Sequence, residues 1–162
     1  MNFQPTPNRL ITRITPYLPI AEKICLMGLA IGIVLSLANL DSLVLEASLV
    51  CLAVTFFFHG YKPIDVPETE REKFGFLELL GYSIAPKISW VACAVSAIGI
   101  LFTMQNSEGA KQMLFIGGTT LGIASLIIIF LTAIGVKYMS AVIPVLYRAI
   151  PLLVLDLYLL FK

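Results

Sequence analysis

The run Gln112–Val136, QMLFIGGTTLGIASLIIIFLTAIGV, contains no charged residue. A bilayer's hydrocarbon core is about 30 Å thick, and about 20 consecutive apolar residues in a helix cross it. Within lipid every backbone N–H and C=O must find its partner inside the segment, so the run reads as a transmembrane α-helix. The pattern recurs on both sides of it. Ile88–Ser107 is uncharged as well, and Ile24–Leu40 is a third apolar run. Ser42–Gly60 carries Glu46 in its early turns but is apolar through ASLVCLAVTFFFHG. Tyr138–Lys162 closes the chain with Arg148 near its middle. The expected fold is an all-α, multi-pass transmembrane helical bundle of five spans, built as two antiparallel hairpins and a kinked fifth helix.

Composition supports the same class. Of 162 residues, 59% are hydrophobic and 13% charged, and the mean hydropathy is +0.94. Soluble domains are about 45–50% apolar and about 25% charged, and a soluble domain of this size could not hide so much apolar surface. A net charge of +1 gives no basic face for nucleic acid. Cys25, Cys51 and Cys93 fall singly in apolar runs, without metal-ligand or disulfide spacing. Neither a metal nor a cofactor is therefore expected.

The expected organisation is one integral membrane domain. Residues 1–23 form a cytoplasmic N-terminal segment and 24–60 the first hairpin. Residues 61–87 form a cytoplasmic connector, 88–136 the second hairpin, and 138–161 the fifth span. The start of the chain has no signal-peptide pattern, so the first span is expected to stay as an anchor. Turn residues at Asn39–Ser42 and Asn106–Lys111 close the hairpins. In the connector, PETEREKFGFLELL has an acidic first turn and a greasy face from Phe74, Leu77 and Leu80, a pattern suited to a helix in the membrane interface or packed on the bundle. Arg9, Arg13, Lys23, Lys62, Arg71, Lys73, Lys87 and Lys137 fall on one side, against Lys111 and Lys162 on the other. The positive-inside rule then puts the N-terminus in the cytoplasm of a bacterial inner membrane. Trp90, Tyr61 and Tyr82 flank the third run and read as interfacial anchors.

The two hairpins resemble each other. AIGIV at Ala30–Val34 matches AIGIL at Ala97–Leu101, and VLEASLVCLAVT at Val44–Thr55 matches MLFIGGTTLGIA at Met113–Ala124. An internal repeat about an axis along the membrane normal would explain this. Gly28 and Gly32, and again Gly118 and Gly122, form GxxxG pairs that let helix backbones approach closely, within the chain or across a homodimer.

The AIGIV run, the tight turn, the second helix and the exit GYKPID at Gly60–Asp65 together resemble the two-helix membrane subunit of the Bacteroidota gliding and type IX secretion motor. That resemblance implies a hairpin lineage. It does not carry over the family's proton-path glutamate, because Glu46 lies several residues too early and the matching position is near Leu52.

Arg148, Asp156 and Glu46 are the intramembrane polar candidates. A central arginine costs about 2.5–3.5 kcal/mol on insertion scales, so its guanidinium should face protein, a wet cleft or headgroups. Asp156 lies about two turns on and some 80° round the helix, which favours a partner for Arg148 on another helix. Asp156 and Glu46 share the outer half of the membrane and could cluster. Pro144 and Pro151 flank the arginine as candidate kinks. HExxH, GxSxG and P-loop motifs are all missing. The expected role is a non-enzymatic accessory or permeation subunit of a membrane assembly, with membrane lipids and a homo-oligomer or larger complex as partners. The alternatives are a lipid- or anion-handling protein or enzyme using Arg148, or a scaffold recruiting a partner through 61–87.

Overall fold

The structure is a computed structural model that describes residues 13–38, 43–62, 75–136, 139 and 142–161. Apart from short turns it is helical, with no strand among the described residues, and five helices are long and apolar enough to cross a membrane. We name them α1 (Leu18–Leu37), α2 (Leu43–Gly60), α3 (Phe76–Met104), α4 (Ala110–Ala133) and α5 (Ile143–Phe161). A five-span helical bundle is the fold. α1 packs on α2, α2 on α3 and α3 on α4, and α5 lies against both α3 and α4. α3 is the central helix, and α1 and α5 are the most exposed.

Helix ends follow local chemistry. A 3₁₀ turn at Thr15–Tyr17 leads into α1, with Pro16 and Pro19 each in a first turn. Proline fits there because its missing N–H would have no intrahelical acceptor. α1 therefore begins at Leu18, earlier than the Ile24 start read from hydropathy, and Glu22 lies inside it. α4 ends at Gly135, which adopts φ +80°. There the Val136 N–H donates to Leu131 O at 3.2 Å and the Gly135 N–H to Thr132 O at 3.1 Å. This is the Schellman pair of bonds that a left-handed glycine permits.

α3 differs most from the sequence reading. Phe76–Leu79 does not form a separate interfacial helix. It runs into the third span through a π-helical stretch, Leu80–Ile84, to give 29 continuous helical residues. Ala85 N–H donates to Leu80 O, five residues back. The next residue is Pro86, which has no N–H to offer Tyr82 in α-helical register. The wider π turn ends where the proline would otherwise interrupt the ladder. Phe74 and the acidic start of the connector lie outside the described residues.

Lipid supplies no hydrophobic drive for helix association, so close backbone approach carries the packing. A Cβ placed on Gly32 would stand 2.6 Å from Leu45 Cα, and one on Gly99 3.1 Å from Leu114 N. Gly28 faces Ser48, and in the other hairpin Gly117 faces Ser96. Gly118 and Gly122 instead face α5, at Asp156 and Leu153. All four GxxxG glycines thus have neighbours within the chain.

Pro151 lies inside α5, where its missing N–H removes the α-helical donor for the Tyr147 carbonyl one turn back. Pro144 is the second residue of α5. It sits in the first turn, where a proline interrupts nothing, so its expected role as a kink is corrected.

Candidate functional site: a buried ion pair in an aromatic-walled cleft

Arg148 meets Glu22, a partner that hydropathy had placed in the cytoplasmic segment. Glu22 is 5% exposed, while the arginine side chain is 35% exposed. Arg148 Nε donates to Glu22 Oε1 and Nη2 donates to Oε2 at 3.1 Å. This two-pronged pairing matches the planar guanidinium to a carboxylate. Nη1 donates to Pro144 O at 2.9 Å, one turn back on α5. Pro144 thus serves the site as an acceptor, presenting a carbonyl that the arginine caps.

Two rings complete the wall. The Arg148 guanidinium carbon lies 5.6 Å from the Trp90 ring centroid, within range of a cation–π attraction. His59 stacks on Trp90 with centroids 4.6 Å apart. His59 Nδ1 lies 3.0 Å from Thr55 O. A carbonyl only accepts, so Nδ1 carries the hydrogen, and a neutral imidazole then turns its Nε2 lone pair toward Glu22. Nε2 is 3.8 Å from Glu22 Oε2, too far for a direct hydrogen bond. Trp90 and Tyr82, read from sequence as interfacial anchors, are buried. Tyr61 is exposed.

These groups line a cleft of about 400 Å³ that also exposes Lys62 and Lys87. The two lysines and the N-terminal end of α1 therefore share one end of the bundle. Arg148 is the sixth residue of α5, close to this end of the helix, where the sequence reading put it near the middle of its segment. A guanidinium has five N–H donors. Among the described residues three are bonded, which leaves one N–H on each terminal nitrogen. Among the described residues the cleft carries three fixed cations, Lys62, Lys87 and Arg148, against one carboxylate, Glu22.

A second groove, of about 390 Å³, opens next to the first and shares Gly60 and Lys87 with it. It runs along Ile88, Val91, Val95 and Ile116 between α2, α3 and α4, and its walls are mostly apolar.

The other polar candidates lie apart from this cleft. Glu46 Oε2 accepts a hydrogen bond from Gln105 Nε2 at 2.9 Å. Asp156 is buried against Gly118 on α4. Among the described residues neither Asp156 oxygen has a partner in hydrogen-bond geometry, so the possible cluster of Glu46 with Asp156 does not form there. No group of three or more His, Cys, Asp or Glu side chains comes together among the described residues.

Glu22, Trp90, His59, Lys62 and Lys87 line the cleft but were not among the site residues read from sequence. The available signal for Glu22 was Pro16 and Pro19, with Leu18 between them and Ile20 and Ala21 after, which marks a helix start before the long apolar run begins. Comparison with known proteins finds no matching family model, curated protein or solved structure.

Proposed function

We propose that this chain is a membrane-embedded binding protein that holds the phosphate headgroup of an anionic lipid in the cleft. The observation that carries this reading is the pair of Arg148 N–H groups left without a partner among the described residues, in a cleft with Lys62 and Lys87. Glu22 fixes the guanidinium plane and offsets part of its charge, so the free edge is oriented before a ligand arrives. Such preorganisation lowers the ordering cost of binding. The neighbouring apolar groove favours a lipid over a free anion. An acyl chain laid along Val91 and Val95 would leave its headgroup beside Lys87, which lines both cavities.

Native mass spectrometry of the delipidated protein tests the reading. With phosphatidylglycerol and phosphatidylcholine added in turn, we expect retention of the anionic lipid, weakened when Lys62 and Lys87 are both changed to Gln. Arg148→Lys should weaken it too, because a point charge does not replace a planar fork. Equal retention of both lipids by all forms would reject the proposal.

The same reading places the cleft at the cytoplasmic face of a bacterial inner membrane. Its support is the gathering of Lys62 and Lys87 at one end of the bundle, with Lys111 at the start of α4. We also read the hairpins as two copies of one unit. Gly32 meets Leu45 and Gly99 meets Leu114, and these residues correspond in the sequence alignment of the halves. An accessory-subunit role has separate support in Met27, Ile31 and Val34, which form an exposed stripe at helical spacing on α1. Cross-linking of Val34→Cys chains in native membranes tests for a second copy on that face.

A further inference from the structure

Asp156 lies on α5 eight residues after Arg148 and takes no part in the cleft. It is 1% exposed, and among the described residues neither carboxyl oxygen has a partner in good hydrogen-bond geometry. α4 meets it with a glycine: a Cβ on Gly118 would stand 3.4 Å from Asp156 Cβ and 3.6 Å from Oδ2. From α3, the Ser96 hydroxyl lies beside the carboxyl at hydrogen-bonding approach but outside good hydrogen-bond geometry, and Cys93 is close enough to feel its charge. Ser96 is fully buried, and its hydroxyl also lacks a partner.

The charged groups of the surrounding helices are engaged or distant. Arg148 is bonded to Glu22 and sits about 12 Å away along α5, at 1.5 Å per residue. On α4 the charged residue is Lys111, two turns before Gly118 at the hairpin end. On α3 Glu78 accepts a hydrogen bond from the Gly75 N–H at the helix start, and Lys87 faces the cleft. Glu46 of α2 is bonded to Gln105, and His59 stacks on Trp90. No described cation reaches Asp156.

An ionised carboxylate with at most one hydroxyl beside it, in a medium of low polarisability, is so unfavourable that the group neutralises instead. A metal ion could also neutralise it, but hard cations take about six or more oxygen ligands. This site offers one carboxyl and one hydroxyl, since helix carbonyls are used by their own ladders. We propose that Asp156 is an intramembrane proton-binding site, holding a proton at the seam of α3, α4 and α5 with Ser96 as its nearest hydroxyl. The neutral acid has one O–H to donate, and Ser96 Oγ can accept it after a small rotation.

Infrared spectroscopy of the full-length protein in lipid tests this directly. Asp41 and Asp65 are changed to Asn, and the chain is grown with aspartate carrying ¹³C at its side-chain carboxyl. At neutral pH we expect a carbonyl band of a protonated carboxylic acid, displaced by the label and unaffected by sodium or lithium. In Asp156→Asn that band should vanish. Three results would each overturn the assignment: no protonated-acid band, a band that the label does not move, or a band that sodium or lithium removes. The labelled chain decides the matter even where Asp156→Asn fails to fold.

Discussion

Arg148 and Glu22 constrain each other unequally. Glu22 is nearly inaccessible and Arg148 about one-third exposed, so a lone Glu22 is the worse remnant. Removing one partner of a buried pair costs about 3–5 kcal/mol, with the more exposed side toward the lower end. In unfolding titrations, Arg148→Ala should therefore lose more stability than Glu22→Ala. The Glu22→Ala, Arg148→Ala double variant should lose less than the two single losses added, and purely additive losses would mean that the pair contributes nothing. At this scale the sequence was only half readable. Arg148 stands out because a guanidinium inside an apolar run is conspicuous. Glu22 does not, because it precedes Lys23, where the polar start of the chain blends into the helix. Trp90 looked like a belt anchor because aromatic residues near span ends usually are. Its stacking on His59 depends on how α2 and α3 cross, which no local pattern encodes.

Between helices, glycines with different neighbours make opposite predictions. Gly32→Ala drives a methyl into the backbone of Leu45, and overpacking of that kind costs about 1–3 kcal/mol. Gly122→Ala meets only Leu153 Cδ1, at 3.8 Å, and should be neutral or slightly stabilising in the same unfolding assay. Equal effects would show that α1 and α2 do not cross where described. The π stretch gives a third prediction. Deleting Ser83 should return α3 to ordinary register and turn every earlier residue by about 100°. Tyr82 would then leave the cleft wall, and anionic lipid retention would fall while the spans stay inserted. The five helices were legible because hydropathy over some twenty residues is a strong signal. Their ends were less so, since Pro16, Pro19 and Pro86 act through hydrogen-bond bookkeeping that hydropathy does not register. The π turn was invisible in sequence.

Taken whole, the bundle has a charged end and a plainer one. In a chain freed of its own cysteines, Lys62→Cys and Lys87→Cys should react with a membrane-impermeant maleimide only after cells are opened. Lys111→Cys should react in intact cells. Labelling of all three from one side would remove the odd number of crossings. The Glu22–Arg148 bond also spans almost the full chain, joining residues 126 apart in sequence. During synthesis Glu22 enters the membrane long before its counter-ion exists. Until α5 is threaded in, an orphan acid waits at the edge of the first helix. The last segment thus acts as a clasp for the first, and a chain cut short before it would carry an open acidic mark that cellular surveillance could read as unfinished work.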